Sequence, residues 1–368
     1  MTRRITFARA ALVLAPAALL ASCSNLGYYA QAVGGHLSVM NAARPIPEVL
    51  GDPAADAALR QRLDDVRVAR DFASRELGLP DNDSYRSYAD LGRPFVVWNV
   101  FAAPALSVQP EHWCMPFVGC VSYRGYYARE DAERHASELQ ARGFDTYVGG
   151  VPAYSTLGYF KDPVLNTFLS HGETETARTI FHELAHQVVF VSDDTVFNES
   201  FATAVESEGL RRWFAWRANP AQYDAFRDQQ RRKTQFGELV NRYRRKLGEQ
   251  FARLTGGDEA LQAKTRTYDE LRQDYAALKA SWGGYAGYDR WFAEGLNNAK
   301  IASLGIYTQL TPAFEALLEQ EGRDLPRFYR RVAELADLPR NERLAALKSL
   351  SPATTDVATA PAGAASGT

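Results

Sequence analysis

The sequence predicts an α+β fold that is predominantly α. We expect a small N-terminal sheet to pack against a pair of helices, with a long helical hairpin and C-terminal helices after them. Two patterns predict this fold. Runs rich in β-branched and aromatic residues, typical of strands, are confined to the first half of the 368-residue chain. From residue 173 to about residue 350, apolar residues recur at the three- and four-residue steps of amphipathic helices.

The composition indicates a globular protein and argues against nucleic-acid binding. Hydrophobic residues make up 46% of the chain and aromatic residues 12%, which is enough to bury a sizeable core. Lysine and arginine total 42 against 44 aspartates and glutamates, for a formal net charge of −2. A chain without a basic excess has no bulk electrostatic attraction for a polyanion. We therefore expect no nucleic-acid partner.

The N-terminus is predicted to be the signal peptide of a bacterial lipoprotein. Three arginines precede an apolar run over residues 10–20, which is too short to cross a bilayer as a helix. Residues 20–23 read Leu-Ala-Ser-Cys, which resembles the lipobox of bacterial lipoproteins. Residues 1–22 are then removed, and Cys23 becomes the lipidated N-terminal residue. The alternative is an ordinary secretory signal with a chance cysteine.

Lipidation of Cys23 implies attachment to the membrane of the cell envelope. Ser24, rather than aspartate, follows the cysteine, which resembles the sorting pattern of outer-membrane lipoproteins. In an organism with two membranes, the protein is therefore expected to face the periplasm. Residues 23–45 contain a Gly-Gly break and a Pro-x-Pro join, and we interpret them as a lipid-anchored tether.

Between the tether and residue 172, helical and strand-like patterns alternate. Apolar spacing predicts an amphipathic helix over residues 56–77 that ends near Gly78. A second helix is expected over residues 131–142. β-Branched and aromatic runs predict strands over 94–101, 118–127 and 144–148.

The two cysteines in this part, Cys114 and Cys120, are predicted to form a small disulfide loop. An exported compartment permits their oxidation. The proline and glycine between them favour a tight turn, which brings the two thiols together. The alternative is a pair of unpaired buried thiols.

A His-Glu-x-x-His motif, formed by His182, Glu183 and His186, lies in the first helix of the helical part. Residues four apart stack on one face of an α-helix, so the two imidazoles point to a common position beside Glu183. These residue types supply two ligands and the general base of zinc hydrolases. The rest of the helix is apolar, which indicates burial, and a metal satisfies histidines that are otherwise costly to bury. The alternative is a pair of core histidines without metal.

A catalytic zinc takes three protein ligands and keeps an open position for water. A third histidine of the extended motif is excluded, because positions 189 and 192 hold Val and Ser instead of Gly and His. Residues 198–202 read Asn-Glu-Ser-Phe-Ala, which resembles the Asn-Glu-Gly-Phe-Ala third-ligand helix of gluzincin aminopeptidases. This resemblance assigns Glu199 as the third ligand. The loop aspartates Asp193 and Asp194 are the alternatives.

The connection between His186 and Glu199 is shorter than is usual in gluzincin aminopeptidases. We expect the metal helix to run to about residue 191 before a turn and an antiparallel helix bring Glu199 back. Thr203 and Glu206 follow on the same helix face as Glu199, so they are candidates to orient the histidines.

Taken together, these features resemble a family of bacterial aminopeptidases defined from sequence, along most of residues 23–350. The resemblance implies a zinc metallopeptidase, an aminopeptidase, that holds one Zn²⁺ through His182, His186 and Glu199. Glu183 would then be the general base that acts on a peptide substrate. The alternatives are a zinc endopeptidase that acts on envelope proteins or peptidoglycan peptides, and a non-catalytic metal-binding lipoprotein.

The sequence does not assign two parts of the substrate site, the group that binds the amino terminus and the group that stabilises the oxyanion. Gluzincin aminopeptidases bind the free amino terminus through a Gly-x-Met-Glu-Asn strand, whereas the segment 150–155 at the equivalent place has no carboxylate. Many gluzincins stabilise the oxyanion with a Tyr or His. Candidates for that role follow the metal helices, namely Tyr285, Tyr288 and Tyr307.

The remaining helical part is predicted to contain a long hairpin. Apolar residues at helical spacing over 236–254 and 261–278 flank a Gly-Gly break. Residues 351–368 consist mainly of Ala, Thr, Pro and Gly, with almost nothing to bury. We expect them to form a disordered tail.

Overall fold

A computed structural model of the chain describes residues 27–115, 119–192, 194–254, 256–304 and 310–350. The predicted signal peptide 1–22, the lipidation candidate Cys23 and the tail 351–368 lie outside the described residues. The fold is predominantly helical with small sheets, which confirms the predicted fold class. No helix of the described ranges is both long and apolar enough to cross a membrane.

The N-terminal part is helical where the sequence indicated a tether. Helix α1 spans residues 27–42 and packs on the sheet-containing part through buried Val39. Strand β1 (Arg44–Pro45) and helix α2 (Ile46–Leu50) lead into α3 (Ala57–Leu77). The ends of α3 agree with the sequence, because the Asp56 side chain caps its first turn at 2.7 Å from the Leu59 amide and Gly78 ends it at φ 64°.

The main sheet is antiparallel in the order β6-β3-β7. Helix α4 (Arg129–Ala141) packs against this sheet. A smaller sheet has the order β1-β2-β8. The strands are β2 (Ser87–Ala89), β3 (Val97–Pro104), β4 (Trp113–Met115), β5 (Gly119–Val121), β6 (Arg124–Tyr126), β7 (Phe144–Val151) and β8 (Val164–Leu165).

The strand predicted over 118–127 is two strands in two different sheets. β5 pairs with β4, whereas β6 pairs with β3, and the chain bends between them at residues 122–123. A run of strand-forming residues does not reveal such a change of partner, because the residue preferences are the same in both sheets. Cys114 and Cys120 face each other across the β4–β5 pair and are disulfide-bonded, with their Cα atoms 3.9 Å apart.

The helical part is built around two apolar clusters. The larger one joins α3 to the helices over residues 173–185 and 195–216 through Phe72, Phe181 and Trp213. The predicted hairpin is formed by α8 and α9, which have their own core around Phe236 and Leu271. The helices are α5 (Asn166–Leu169), α6 (Glu173–Ala185), α7 (Thr195–Trp216), α8 (Pro220–Arg253), α9 (Gly257–Ser281), α10 (Asp289–Ala293), α11 (Asn298–Leu304), α12 (Thr311–Gln320), α13 (Leu325–Ala336) and α14 (Arg340–Leu350).

Candidate metal centre

Helix α6 presents His182, Glu183 and His186 from a buried position. Its apolar positions Phe181 and Leu184 are fully buried, so the helix axis is held in the core and the histidine face is fixed. The helix ends at Ala185, with His186 as its C-cap, and does not continue to residue 191 as the sequence predicts. Because α6 ends early, residues 186–194 connect it directly to the start of α7.

Two side chains in the connection place the start of α7. Asn198 donates its side-chain amide to the Val191 carbonyl and accepts from the Val191 amide, both at 2.8 Å. Asp194 caps the helix by accepting from the Phe197 amide at 3.2 Å. These bonds fix the register of α7, so that Glu199 lies in its first turns and faces α6.

His182, His186 and Glu199 converge on one point. The Nε2 atoms of the two histidines lie 3.2 Å apart. Glu199 Oε2 lies 3.4 Å from Nε2 of His182, and its Oε1 lies 3.7 Å from Nε2 of His186. Tetrahedral zinc with bonds of about 2.0–2.1 Å requires ligand atoms about 3.3 Å apart. The two histidine nitrogens are close to this spacing, and one ligand atom from each of the three residues lies within 4.8 Å of the others. The donor set therefore fits a zinc ion, and no other such group of side chains occurs within the described residues.

Glu206 contacts His182 on the Nδ1 side of the imidazole, away from the metal position. Its Oε2 lies 2.9 Å from Nδ1 of His182 and accepts a hydrogen bond from Arg178 at the same distance. The Glu206 side chain is only 1% exposed. Burial alone would raise its pKa, but Arg178 and His182 lower the pKa of Glu206 to about 2. Glu206 therefore stays ionised and holds the imidazole so that Nε2 faces the metal position.

The second orienting candidate, Thr203, makes no hydrogen bond to either histidine within the described part of the chain. His186 also differs from His182, because its buried Nδ1 has no hydrogen-bond partner among the described residues. The imidazole of His182 is thus the more firmly positioned of the two.

Burial and charge shift the two histidines in opposite directions. Burial disfavours a charged His182, but hydrogen bonds and negative charge from Glu199 and Glu206 outweigh it and raise the pKa of His182 to about 10. Burial and the charge on His182 lower the pKa of His186 to about 4. A metal ion competes with the proton on His182 for Nε2, so metal binding here releases a proton.

Glu183 lies on the side of α6 that faces the loops of the sheet-containing part. One turn further along this face, Gln187 accepts a hydrogen bond from Asn82 at 2.7 Å and donates one to Ser84 at 3.3 Å. Burial raises the pKa of Glu183 to about 7, with the charge on His182 acting against it. A carboxylate in this range can accept a proton near neutral pH and give it up again.

Three further residues beside the site were not indicated by the sequence. Burial raises the pKa of the Tyr123 hydroxyl to about 12, and the negative charges of Glu199 and Glu183 contribute to the same shift. Tyr85 and the buried Asp162 interact electrostatically with Glu183. All three lie outside any motif, in loops or turns that only the tertiary fold brings to α6, so no sequence signal could have found them.

The alternative third ligands were Asp193 and Asp194, and the structure describes only Asp194. Asp194 is buried, and its Oδ2 forms an ion pair with Arg343 at 2.7 Å in addition to capping α7. It is therefore committed to the structure of α7. Asp193 lies outside the described residues.

The oxyanion candidates do not reach the site within the described chain. Tyr288 packs against the core of the α8–α9 hairpin, where its ring stacks on Phe236 with 3.9 Å between ring centroids. Tyr285 is exposed and lies edge-on to Trp282. Tyr307 lies outside the described residues. Segment 150–155 begins at the end of β7, which is an edge strand of the main sheet.

Comparison with known proteins identifies a family over nearly the whole described chain. No curated protein and no solved structure matches it. A family described as "Putative aminopeptidase" matches residues 27–347, which include α6, α7 and the α8–α9 hairpin. The chain therefore belongs to the family described as "Putative aminopeptidase".

Proposed function

We propose that the protein is a zinc-dependent metallopeptidase and that it acts as an aminopeptidase. The observation that carries the proposal is the convergence of His182, His186 and Glu199, which offer one ligand atom each within 4.8 Å of one another. Three protein ligands leave the fourth zinc position open, as in catalytic rather than structural sites. This argues against the non-catalytic alternative.

In the proposed hydrolysis, the metal would activate the carbonyl and the water, and Glu183 would transfer the proton. A zinc ion held here would polarise a peptide carbonyl and acidify water. Glu183 lies next to His182 on α6. Its carboxylate accepts the proton from the attacking water and then donates it to the leaving amine. The buried surroundings of Glu183 favour this exchange, because they raise its pKa to about 7.

The family description favours an exopeptidase that removes N-terminal residues. An endopeptidase acting on envelope proteins or peptidoglycan peptides is the second candidate, since the chain lacks the known amino-terminus-binding motif. The two differ in whether a free amino group on the substrate is required.

We further propose that the enzyme works at the cell envelope. The lipobox supports removal of residues 1–22 and lipidation of Cys23. The disulfide between Cys114 and Cys120 is consistent with an oxidising compartment. In a cell with two membranes, Ser24 supports attachment to the outer membrane, with the peptidase domain in the periplasm.

The test compares wild type with Glu183→Gln on amino-acid arylamides and on N-terminally blocked peptides. Wild type is expected to cleave the arylamides alone. Glu183→Gln should retain zinc but lose activity by about 10²–10⁴-fold, because the general base is removed. Cleavage restricted to blocked peptides would assign an endopeptidase instead. Undiminished activity of Glu183→Gln would refute the mechanism.

A further inference from the structure

Helix α1 has one face packed on the protein and one face that is open and uncharged. The packed face is specific: Gln31 donates to the Gly125 carbonyl of β6 and accepts from the Tyr127 amide, both at 3.2 Å. Gly35 permits this approach, because a Cβ there would lie 2.1 Å from the Tyr127 ring. The helix is thus fixed to the body and cannot turn its open face inward.

The open face carries an apolar stripe. Tyr29, Val33 and Leu37 follow one another at four-residue steps, and Val33 and Leu37 are 60% and 50% exposed. Residues 27–42 contain no Asp, Glu, Lys or Arg. A surface helix normally turns charged residues to water, so an uncharged open face indicates contact with an apolar phase.

A neighbouring loop extends this surface. Tyr159 and Phe160 are 84% and 50% exposed, and the Phe160 ring lies 4.6 Å from the His36 ring of α1. Aromatic rings at such positions are typical of the interface between lipid headgroups and acyl chains. Helix and loop together form one patch, which we call the α1 patch, made of Tyr29, Val33, Leu37, Tyr159 and Phe160.

The position of Cys23 indicates what covers the α1 patch. Three residues separate this cysteine from the start of α1 at residue 27, so four Cα-to-Cα steps give a reach of at most about 14 Å. A lipid on Cys23 therefore brings the bilayer surface to within that distance of the helix. An amphipathic helix in such a place lies in the headgroup region with its apolar side inserted by about 5–10 Å.

We propose that the α1 patch is a second membrane contact, which lies in the lipid headgroup region and fixes the orientation of the enzyme on the bilayer. The inference rests on the lipid anchor of the proposed function. It goes beyond that anchor, because an anchor alone leaves the enzyme free to rotate on its tether, whereas the α1 patch holds one side of the molecule against the membrane.

The test uses the full-length lipidated protein in vesicles of phosphatidylethanolamine and phosphatidylglycerol. Leu37→Cys and Phe160→Cys each carry an environment-sensitive fluorophore. Leu261→Cys on α9, where the native residue is 46% exposed, is the matched control. Because Cys114 and Cys120 are disulfide-bonded and Cys23 is blocked by lipid, the introduced thiol alone reacts.

Labels at positions 37 and 160 should be several-fold less quenched by iodide in the water than the label at 261. They should also be quenched by brominated acyl chains, unlike the control. Iodide quenching equal to that at position 261 would overturn the proposal. Protection from iodide without quenching by brominated lipid would also overturn it, because a second copy of the chain would then cover the patch.

Two further measurements on the same samples test the lipid anchor and the peptidase activity separately from the membrane contact. The mass of the N-terminal peptide reports whether Cys23 is lipidated. Arylamide hydrolysis reports the peptidase activity, which none of these surface substitutions should change. Failure of the membrane contact is thereby distinguished from failure of the anchor or of the enzyme.

Discussion

At the residue scale, the candidate site depends on one buried carboxylate that lies outside the proposed ligand set. Its Oε2 atom lies 2.9 Å from both Arg178 and Nδ1 of His182, so this carboxylate of Glu206 links the two side chains. The i, i+4 spacing of His182 and His186 was enough to predict that their imidazoles lie side by side, with 3.2 Å between the Nε2 atoms. Glu206 was only one of two candidates on its helix face, because the helical period does not say which polar residue reaches an imidazole.

We predict that Glu206→Gln weakens zinc binding by about 10–100-fold, because an orienting partner of a ligand histidine is changed. Competition with a chelating dye measures the affinity. Glu208→Gln is the matched control: Glu208 is equally buried on α7, but it pairs with Arg211, Arg212 and Arg323. It should lower stability and leave zinc affinity unchanged. Equal loss of affinity in both variants would contradict the role given to Glu206.

At the element scale, the site depends on how closely α6 and α7 pack. Gly209 of α7 makes this packing possible, because a Cβ there would lie 2.8 Å from the Phe181 ring and 2.9 Å from Leu77. The sequence predicted both helices, but it placed the end of α6 near residue 191. Apolar residues continue past Ala185 with helical spacing, and the Asn198 contacts that turn the chain are tertiary.

Gly209→Ala is expected to destabilise the protein by about 1–3 kcal/mol, since the added methyl group overpacks the helix crossing. Gly237→Ala on α8 is the control, because nothing lies within 4 Å of a Cβ there. That change should stabilise the helix by about 0.5–1 kcal/mol. Urea denaturation of both variants measures the difference. A neutral or stabilising effect of Gly209→Ala would mean that the helices are further apart than described.

At the scale of the whole molecule, two features join distant parts of the chain. The candidate metal centre joins α6 to α7, and α1 packs against the main sheet through Gln31. The sequence predicted the fold class and the order of sheet and helical parts. It missed the docking of α1, because the contacts of Gln31 and His36 involve residues more than 90 positions away.

Because only the folded chain assembles the ligand set, metal binding should stabilise the whole domain. Zinc at a hundredfold excess over its dissociation constant contributes about 2.7 kcal/mol. Chelation should therefore lower the thermal midpoint of wild type, and added zinc should restore it. Calorimetry with and without chelator measures this shift. A midpoint independent of chelator would contradict metal binding by the native state.

The most direct test of the central claim is the zinc content of purified wild type, Glu199→Gln and Asp194→Asn, measured by elemental mass spectrometry. The proposed site predicts one zinc per chain in wild type, and loss of zinc in Glu199→Gln on dialysis that wild type survives. Asp194→Asn should be less stable, because its ion pair with Arg343 is lost, but it should keep its zinc. Zinc retained by Glu199→Gln and lost by Asp194→Asn would contradict the assignment of His182, His186 and Glu199 as the metal site.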